Sequence, residues 1–314
     1  MSFSLLRFVP EFLGARPGEK FTAREIATWI LSNYPEECAE KMRRSKAVAI
    51  PIDTPDALIQ QIVAEIGSQR EALAKRSIKS TEGRPRRFYF STLSDEAEVN
   101  ASDPLPQSQT AGSDKTAPLG EHHLYPALGR FLREEMGIFS KRIDEKRARN
   151  SRGRGGNMWV FPDLVAIEDL GSRWHREVQD CIRESSQRRA KLWSFEVKVL
   201  VNSSNVREAY FQAVSNSSWS NSGYLVAAEI SGSGTMRELR VLSGLHGIGV
   251  IKLDTGNLAE SEILIPSLER ADVDWETANR IAEENEDFVS YVKLVRQFYQ
   301  TGELRQHDWD FAAN

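Results

Sequence analysis

The chain has 314 residues, of which 40% are hydrophobic and 27% are charged, and its formal net charge is −4. The length allows two domains and a linker, and the composition is that of an ordinary globular protein. This charge balance excludes a uniformly basic nucleic-acid-binding protein, so any basic surface must be local.

The sequence predicts neither a membrane segment nor a secretion signal. No apolar run approaches the length needed to span a bilayer. Arg7 and Glu11 interrupt the N-terminal apolar pattern, so the continuous apolar core of a signal peptide is missing. Cys38 and Cys181 are the only cysteines, and they lie far apart without the spacing of metal ligands. We therefore expect a reduced, cytoplasmic protein that does not contact a membrane.

Helical patterns occupy the first part of the chain. Apolar spacing predicts helices over residues 3–13 and 36–45. Between them, Thr22 and Glu25 have the spacing of a capping box, which predicts the start of another helix. A further helix is predicted to begin at Pro55, because proline is favoured in a first turn. The N-terminal region should therefore be mostly helical.

A basic hairpin follows these helices. Residues 77–90 predict two strands joined by a tight turn at Glu82 and Gly83. Helices followed by such a hairpin resemble the winged helix-turn-helix domain of the HARE type, which is attached to restriction and chromatin proteins. The resemblance implies a separate α+β domain over residues 1–92 that contacts DNA phosphates. The basic residues that would make these contacts are Arg43, Arg44, Lys79, Arg84, Arg86 and Arg87.

Alternatives to this DNA-binding role stay open. The segment over residues 34–52 is long for a winged helix, so the helix that faces DNA is undetermined. Cations at the end of a helix, here Arg43 and Arg44, also complement the helix dipole on a solvated face. A winged helix can moreover bind a protein, in which case it would recruit a partner.

Residues 93–118 differ in composition from the segments on either side. They are rich in acidic residues, serine, proline, glutamine and threonine, and they contain few apolar residues. Such a composition cannot bury a core, so it predicts a flexible acidic linker. The linker separates the domain over residues 1–92 from a second domain over residues 119–314.

An acidic residue and a basic stretch precede the predicted core strands. Glu121 stands one turn ahead of an amphipathic helix with Pro126 in its first turn, where the helix dipole also favours a glutamate. Residues 141–156 are the most basic stretch, and their glycines allow the backbone to approach a ligand closely. A solvated loop is the alternative interpretation. The candidates here for binding DNA are Arg149, Arg152 and Arg154.

Two apolar, β-prone runs carry charges in their middle. Asp163 lies in the first run, and Glu196 and Lys198 lie in the second. Alternation at period two places Glu196 and Lys198 on one face of a strand. Burying such charges is costly unless they are paired or hold a metal. In a hairpin the two carboxylates can meet and chelate a divalent ion. A solvated Glu–Lys pair on an edge hairpin is the alternative.

These charges form a pattern, Pro-Asp at 162–163 followed by Glu-Val-Lys at 196–198, that resembles the PD-(D/E)xK signature of restriction-endonuclease-like nucleases. The resemblance covers roughly residues 118–265 and implies an α/β core with a mixed sheet flanked by helices. It also implies that Asp163 and Glu196 bind Mg²⁺, for which Mn²⁺ can substitute.

The same resemblance assigns supporting residues. Lys198 would orient or deprotonate the attacking water, or neutralise charge that develops on the phosphate. Glu121 would act as an additional acid at the metal site. Gln212, on a helix predicted over residues 205–214, would hold the substrate or Lys198. Family members carry Gln-xxx-Tyr on that helix, whereas Asn216 occupies the second position here.

The remaining elements complete an α/β pattern. Strands are predicted over residues 223–228 and 246–253, and the insert over residues 168–191 has room for a short helix. After Pro266 an acidic segment leads into an amphipathic helix, which we interpret as packed on the core or as a dimer surface. Residues 307–314 are predicted to fray.

As a whole, the sequence predicts a metal-dependent DNA endonuclease that hydrolyses phosphodiester bonds in restriction or defence. DNA is the expected partner, and a homodimer is expected if both strands are cut. Two alternatives stay open: a catalytically inactive DNA-binding regulator, and a nuclease whose winged helix recruits a protein partner.

Overall fold

The computed structural model describes residues 3–44, 52, 54–102, 120–149, 160–185 and 187–311. The chain divides into two compact units, one formed by residues 1–94 and 231–233 and the other by residues 95–230 and 234–314. A three-stranded sheet and a six-stranded sheet are present, together with helices. The predicted mixed α/β fold is confirmed at this level.

The first unit consists of short helices and a small antiparallel sheet with strand order β1-β3-β2. The predicted helices and the hairpin over residues 77–90 are confirmed, whereas the short strand β1, which pairs with β3, was not predicted. The elements are α1 (Leu5–Gly14), β1 (Phe21–Thr22), α2 (Ala23–Asn33), α3 (Pro35–Arg44), α4 (Pro55–Ser68), α5 (Arg70–Ala74), β2 (Ile78–Ser80) and β3 (Arg87–Phe90).

Local capping explains where α2 begins. The Thr22 hydroxyl accepts a hydrogen bond from the backbone N–H of Glu25 at 3.2 Å, and the Glu25 carboxylate accepts one from the backbone N–H of Thr22 at 2.7 Å. This reciprocal pair satisfies two backbone donors that have no partner inside the helix. The apolar face that follows, with Ile26 and Ile30, is fully buried. The predicted capping box is therefore confirmed.

Replacing Thr22 with alanine is expected to cost about 1 kcal/mol of local stability, because a backbone N–H at the start of α2 loses its acceptor. Hydrogen exchange of the α2 amides measures this loss. Thr28→Ala is the matched control, since Thr28 lies inside the same helix and only donates to the Arg24 carbonyl at 2.9 Å. Equal exchange rates in the two variants would contradict the capping role.

The second unit is built on a six-stranded sheet with strand order β4-β5-β6-β7-β8-β9. Strands β4, β5 and β6 are antiparallel neighbours, β6, β7 and β8 run parallel, and β9 is antiparallel to β8. The strands are β4 (Phe139–Arg142), β5 (Leu164–Asp169), β6 (Ala190–Val201), β7 (Ser222–Ile230), β8 (Gly249–Lys252) and β9 (Glu262–Ile265). The helices are α6 (Asp95–Ser102), α7 (Tyr125–Met136), α8 (Arg176–Glu184), α9 (Val206–Asn216), α10 (Ser233–His246), α11 (Trp275–Glu284) and α12 (Glu286–Thr301).

Helices cover both faces of this sheet. Helix α7 packs on the face that carries Phe195 and Val197. On the opposite face, α11 and α12 pack against β5, and α9 and α10 pack against β7 and β8. The Tyr291 hydroxyl of α12 donates to the backbone carbonyl of Ala166 at 2.9 Å. Side chains alternate between faces along a strand, so Glu196 and Lys198 lie on the face of β6 opposite to Phe195 and Val197.

The structure adds three elements to the predicted core, namely α10 and the edge strands β4 and β9. Helix α10 connects β7 to β8, and such a crossover allows the two strands to be parallel. Strand β4 occupies the start of the basic stretch and forms one edge of the sheet. The predicted short helix in the insert, the helix that ends at Asn216 and the two buried strands are confirmed.

The predicted flexible linker is wrong at its start. Residues 95–102 form α6, which belongs to the second unit. Asn202 donates its side-chain N–H to the backbone carbonyl of Asp95 at 2.8 Å, and the Ser203 hydroxyl donates to the Asp95 carboxylate. The acidic residues that indicated a linker suit the first turn of a helix. Residues 103–119 lie outside the described residues.

The predicted fraying of the C-terminal residues is also wrong as far as Phe311. Trp309 is buried and packs against Phe139 and Tyr291. The Asp310 carboxylate accepts a hydrogen bond from the backbone N–H of Arg142 at 2.9 Å. The C-terminal segment therefore belongs to the core. Among the helices of the described residues, none combines the length and apolar character that crossing a membrane requires.

Candidate active site

Strand β6 and the turn before α7 bring an ammonium group between two carboxylates. The Lys198 Nζ atom lies 2.9 Å from Glu196 Oε1 and 3.0 Å from Glu121 Oε1. Glu196 and Lys198 share a face of β6, as the alternating pattern predicts. Glu121 lies in a 3₁₀ turn ahead of α7, which has Pro126 in its first turn and ends at Gly137, a residue with a φ of 69°. A left-handed residue of this kind terminates a helix.

Asp163 completes the cluster from the neighbouring strand. It immediately precedes β5, whose register pairs Leu164 with Phe195, so Asp163 stands beside Glu196. Its Oδ1 atom accepts a hydrogen bond from the Tyr125 hydroxyl at 2.8 Å, and its Oδ2 atom accepts one from the backbone N–H of Val197 at 2.7 Å. The predicted proximity of Asp163 to Glu196 and Lys198 is therefore confirmed.

Burial and like charge shift the protonation equilibria of both core carboxylates. Burial, reinforced by the charge of Asp163 and opposed by Lys198, raises the pKa of Glu196 to about 8. Burial also raises the pKa of Asp163, although Lys198, the Val197 N–H and the Tyr125 hydroxyl oppose it. The two carboxylates therefore repel each other, and a further cation between them would relieve that repulsion.

The ammonium group of Lys198 is held in its charged form. Burial disfavours the charge, but the carboxylates of Glu196, Glu121 and Asp163 together outweigh burial and raise the pKa of Lys198. A lysine with a raised pKa donates hydrogen bonds and neutralises negative charge, but it is a poor base. Of the roles expected for Lys198, the geometry and charge thus favour orientation and charge neutralisation over deprotonation of water.

Asn216, at the end of α9, is a member of the cluster that the sequence did not predict. Its side chain is 2% exposed, and its Nδ2 atom donates to Glu196 Oε2. Its Oδ1 atom is buried and has no hydrogen-bond partner among the described residues. The sequence held one indication of this role: Asn216 occupies the position at which the family motif has a tyrosine. Tyr125 was missed as well, and its position beside Pro126 was the only hint.

Replacing Asn216 with leucine is expected to cost about 1–3 kcal/mol of unfolding free energy at pH 9, because a buried carboxylate oxygen loses its donor. The cost should be smaller at pH 6, where Glu196 is mostly protonated, since its pKa is about 8. Urea unfolding at the two pH values measures this difference. The control is Asn279→Leu, in which an exposed amide loses its 2.9 Å bond to Glu283. A pH-independent effect equal to that of the control would contradict the contact.

The cluster opens into a cleft of about 650 Å³. Gln212, one turn before Asn216 on α9, lines this cleft as predicted from the motif, and Arg142 and Lys146 line it as well. Glu208, on the same helix, is an exposed carboxylate of the cleft wall. The structure thus brings together Glu121, Asp163, Glu196, Lys198 and Gln212, which the sequence assigned to one site.

The donors of this cleft fit a hard cation bound by few protein ligands. Magnesium is usually bound through one or two carboxylates, with water and substrate phosphate oxygens completing its shell. Asp163 and Glu196 offer such a pair, and their mutual repulsion favours a cation. Within the described residues, no group of three or more His, Cys, Asp or Glu side chains is arranged to hold a metal ion. Glu121 bonds to Lys198 instead, and binding of Mg²⁺ or Mn²⁺ stays a prediction.

The basic residues predicted to contact DNA in the first unit have different surroundings. Arg43 on α3, and Arg84 and Arg87 on the hairpin, are exposed. Others are engaged within the unit: Arg44 pairs with Glu40 at 2.5 Å, Arg86 pairs with the buried Glu82 at 2.7 Å, and the Lys79 ammonium donates to the backbone carbonyl of Leu93 at 2.9 Å. The hairpin therefore presents Arg84 and Arg87 most openly.

The basic stretch over residues 141–156 is not a solvated loop as far as Arg149. It contains β4 and a 3₁₀ turn, and its cations pair with acidic residues from the end of the chain. Arg147 lies 2.5 Å from Asp287, and Arg149 lies 2.9 Å from Glu286. Arg149 is 65% exposed, and Glu286 offsets its charge. Arg152 and Arg154 lie outside the described residues.

The resemblance to PD-(D/E)xK nucleases comes from the sequence pattern and stays a prediction. The Glu-x-Lys element lies on β6, the Pro-Asp element immediately precedes the neighbouring strand β5, and Lys198 contacts Glu196 in the cleft. The helix that follows them contributes Gln212 and Asn216 to the same place. Compared with protein-family models, curated proteins and solved structures, the chain has no match.

Proposed function

We propose that the second unit hydrolyses phosphodiester bonds of DNA with the help of Mg²⁺ or Mn²⁺. The observation that carries this proposal is the cluster of Asp163, Glu196 and Lys198 in an open cleft. Burying two carboxylates and an ammonium group together costs free energy, and it generally adds no stability over apolar packing. A functional role for these charges explains why they are placed together. Phosphoryl transfer is accelerated by a bound divalent cation and by positively charged hydrogen-bond donors.

Each residue of the cluster has a role in this proposal. Asp163 and Glu196 hold the metal ion, which would supply a polarised phosphoryl oxygen and a more acidic water. Lys198 donates hydrogen bonds to the attacking water or to the phosphate and offsets the negative charge that develops there. Glu121 anchors Lys198, and Gln212 contacts the substrate. Water oxygen bonds to phosphorus and the ester oxygen leaves with a proton, which yields a phosphate monoester and a hydroxyl end.

The order of elements supports the same proposal. Helix α7 is followed by three antiparallel strands, with the aspartate ahead of the second and the Glu-x-Lys pair on the third, and then by α9 and the parallel strand β7. This order agrees with the restriction-endonuclease-like core that the sequence pattern resembles, and restriction or defence is the setting that we propose. A homodimer would supply a second site for the other strand.

The first unit would recognise DNA as a winged helix. Its helices, its antiparallel sheet and the exposed Arg84 and Arg87 of the hairpin support this role. Phosphate contacts by these arginines would make binding strongly dependent on salt. A winged helix that recruits a protein would show little salt-dependent DNA binding, so a salt titration separates the two roles.

Cleavage of plasmid and phage DNA, modified and unmodified, tests the proposed chemistry. We expect cutting with Mg²⁺ or Mn²⁺ that is lost with a chelator and in the Glu196→Gln variant. DNA binding without cutting on any substrate would overturn the nuclease proposal and favour the inactive regulator. In that case the contacts of Lys198 with Glu196 and Glu121 would form a structural ion cluster.

A further inference from the structure

Arg142 lies against the candidate site without being part of the predicted signature. It is the last residue of β4, and its guanidinium carbon lies 4.7 Å from the centroid of the Tyr125 ring. The hydroxyl of the same ring donates to Asp163 at 2.8 Å. One aromatic ring therefore contacts a guanidinium group with its face and a core carboxylate with its hydroxyl.

Three other cations of the same segment pair with carboxylates, whereas the Arg142 guanidinium contacts an aromatic ring. Lys141 lies 3.4 Å from Asp310, Arg147 lies 2.5 Å from Asp287, and Arg149 lies 2.9 Å from Glu286. Arg142 instead is exposed, lines the cleft and rests on a ring. Its backbone is fixed, because its N–H donates to Asp310 at 2.9 Å.

The contact with Tyr125 holds the Arg142 guanidinium group at the edge of the cluster. A cation–π contact orients a guanidinium group without neutralising its charge, so its planar set of N–H donors stays available to an anion. Lys146 adds a second positive charge to the same cleft. Arg142 and Lys146 thus provide two positive charges that could meet an anionic ligand in the cleft.

We propose that Arg142 binds a non-bridging phosphate oxygen of the substrate strand and so positions the phosphodiester next to Asp163. The inference rests on the proposed function, which it deepens by naming a substrate-binding residue. A guanidinium fork can bind two phosphate oxygens at once, which fixes the orientation of the phosphate as well as its place. Lys146 contacts the next phosphate along the strand as a point charge.

Binding of a fluorescently labelled DNA duplex to the full chain tests this inference. Ca²⁺ replaces Mg²⁺ during the anisotropy measurement, and single-turnover cleavage with Mg²⁺ is recorded in parallel. The matched control is Arg147→Gln. It removes the same charge at a position five residues after Arg142, where the arginine pairs with Asp287. Arg142→Lys keeps the charge but loses the fork. Thermal unfolding of each variant verifies that the fold is retained.

We expect Arg142→Gln to weaken binding by about tenfold and to reduce the salt dependence by about one phosphate contact. The protein concentration for half-maximal cleavage should rise equally, Arg142→Lys should be intermediate, and Arg147→Gln should stay within about twofold of the wild type. Equal binding by Arg142→Gln and Arg147→Gln would overturn the inference, even if the wild type cuts DNA.

Other combinations of the binding and cleavage results distinguish a failure of this inference from a failure of the proposed function. A wild type that binds DNA but cuts none, together with weak binding by Arg142→Gln, would keep the role of Arg142 and overturn the nuclease chemistry. A wild type that neither binds nor cuts DNA at low salt would overturn both.

Discussion

Replacing Lys198 with methionine is expected to destabilise the second unit by about 3–5 kcal/mol at pH 9, because the buried Glu196 and the partly buried Glu121 lose the cation that compensates them. Lys198 Nζ lies 2.9 Å from Glu196 and 3.0 Å from Glu121, and all three side chains are at most 22% exposed. Methionine has nearly the same length and shape, so the cavity term is small. The loss measured by urea unfolding should therefore be mainly electrostatic.

The pH dependence of this loss follows from the sign of the carboxylate shifts. The pKa of Glu196 is raised to about 8 in the folded state, whereas the unfolded value is close to 4.5. Between these values the folded state binds more protons, so this group makes the free energy of unfolding fall as the pH rises. Without Lys198 the pKa values of Glu196 and Asp163 rise further. The variant should therefore lose more stability than the wild type between pH 5 and pH 9, and approach the wild type at about pH 5.

A control for this experiment lies on the same strand. Lys191 lies 2.8 Å from Glu269, a carboxylate that is 40% exposed, and its ammonium lies 4.1 Å from the centre of the Trp193 ring. Lys191→Met removes an ion pair with a solvated partner, so the cost should be at most about 1 kcal/mol with little change between pH 5 and pH 9. Equal losses in both variants would show that the cluster is not the buried, mutually repelling group that the structure describes.

The features of the site that depend on residues close together in the sequence could be predicted from the sequence alone. Alternation along β6 placed Glu196 and Lys198 on one face, and β-prone runs predicted the hairpin partner that carries Asp163. A capping box located the start of α2, because its hydrogen bonds join residues three apart. Local periodicity determines all of these features.

The parts that were missed depend on contacts between distant segments. Asn216 reaches Glu196 only because α9 packs on the sheet face next to it. A solvated loop stayed open as the alternative for the basic stretch, because its acidic partners, Asp287 and Glu286, are more than a hundred positions away. In the sequence, Trp309 lies in a segment that looks like a polar tail. In the structure, it packs against residues of β4 and α12. Nothing in the local pattern of these residues indicates the contacts.

Replacing Glu196 with glutamine is expected to lower the rate of DNA cleavage by about 10³-fold, because the site loses a charged metal ligand and the partner of Lys198. The substitution preserves side-chain shape, so a loss of activity with retained folding would locate the chemistry at this carboxylate. Single-turnover cleavage at saturating Mn²⁺ measures the effect. Glu208→Gln is the matched control, since Glu208 is an exposed carboxylate of the same cleft; it should stay within about twofold of the wild type.

A second measurement links the same residue to metal binding without relying on cleavage. A cation and a proton compete for Glu196, whose pKa is about 8 before metal binds. The apparent dissociation constant for Mn²⁺, measured by titration calorimetry, should therefore fall by about tenfold per pH unit from pH 6 to pH 8 and level off above that range. Protonation of Glu196 opposes binding at low pH, so the affinity rises with pH. In Glu196→Gln this dependence should become shallower, since Asp163, whose pKa burial also raises, still exchanges a proton for the metal; an unchanged pH profile in that variant would assign the proton, and the metal, to another group.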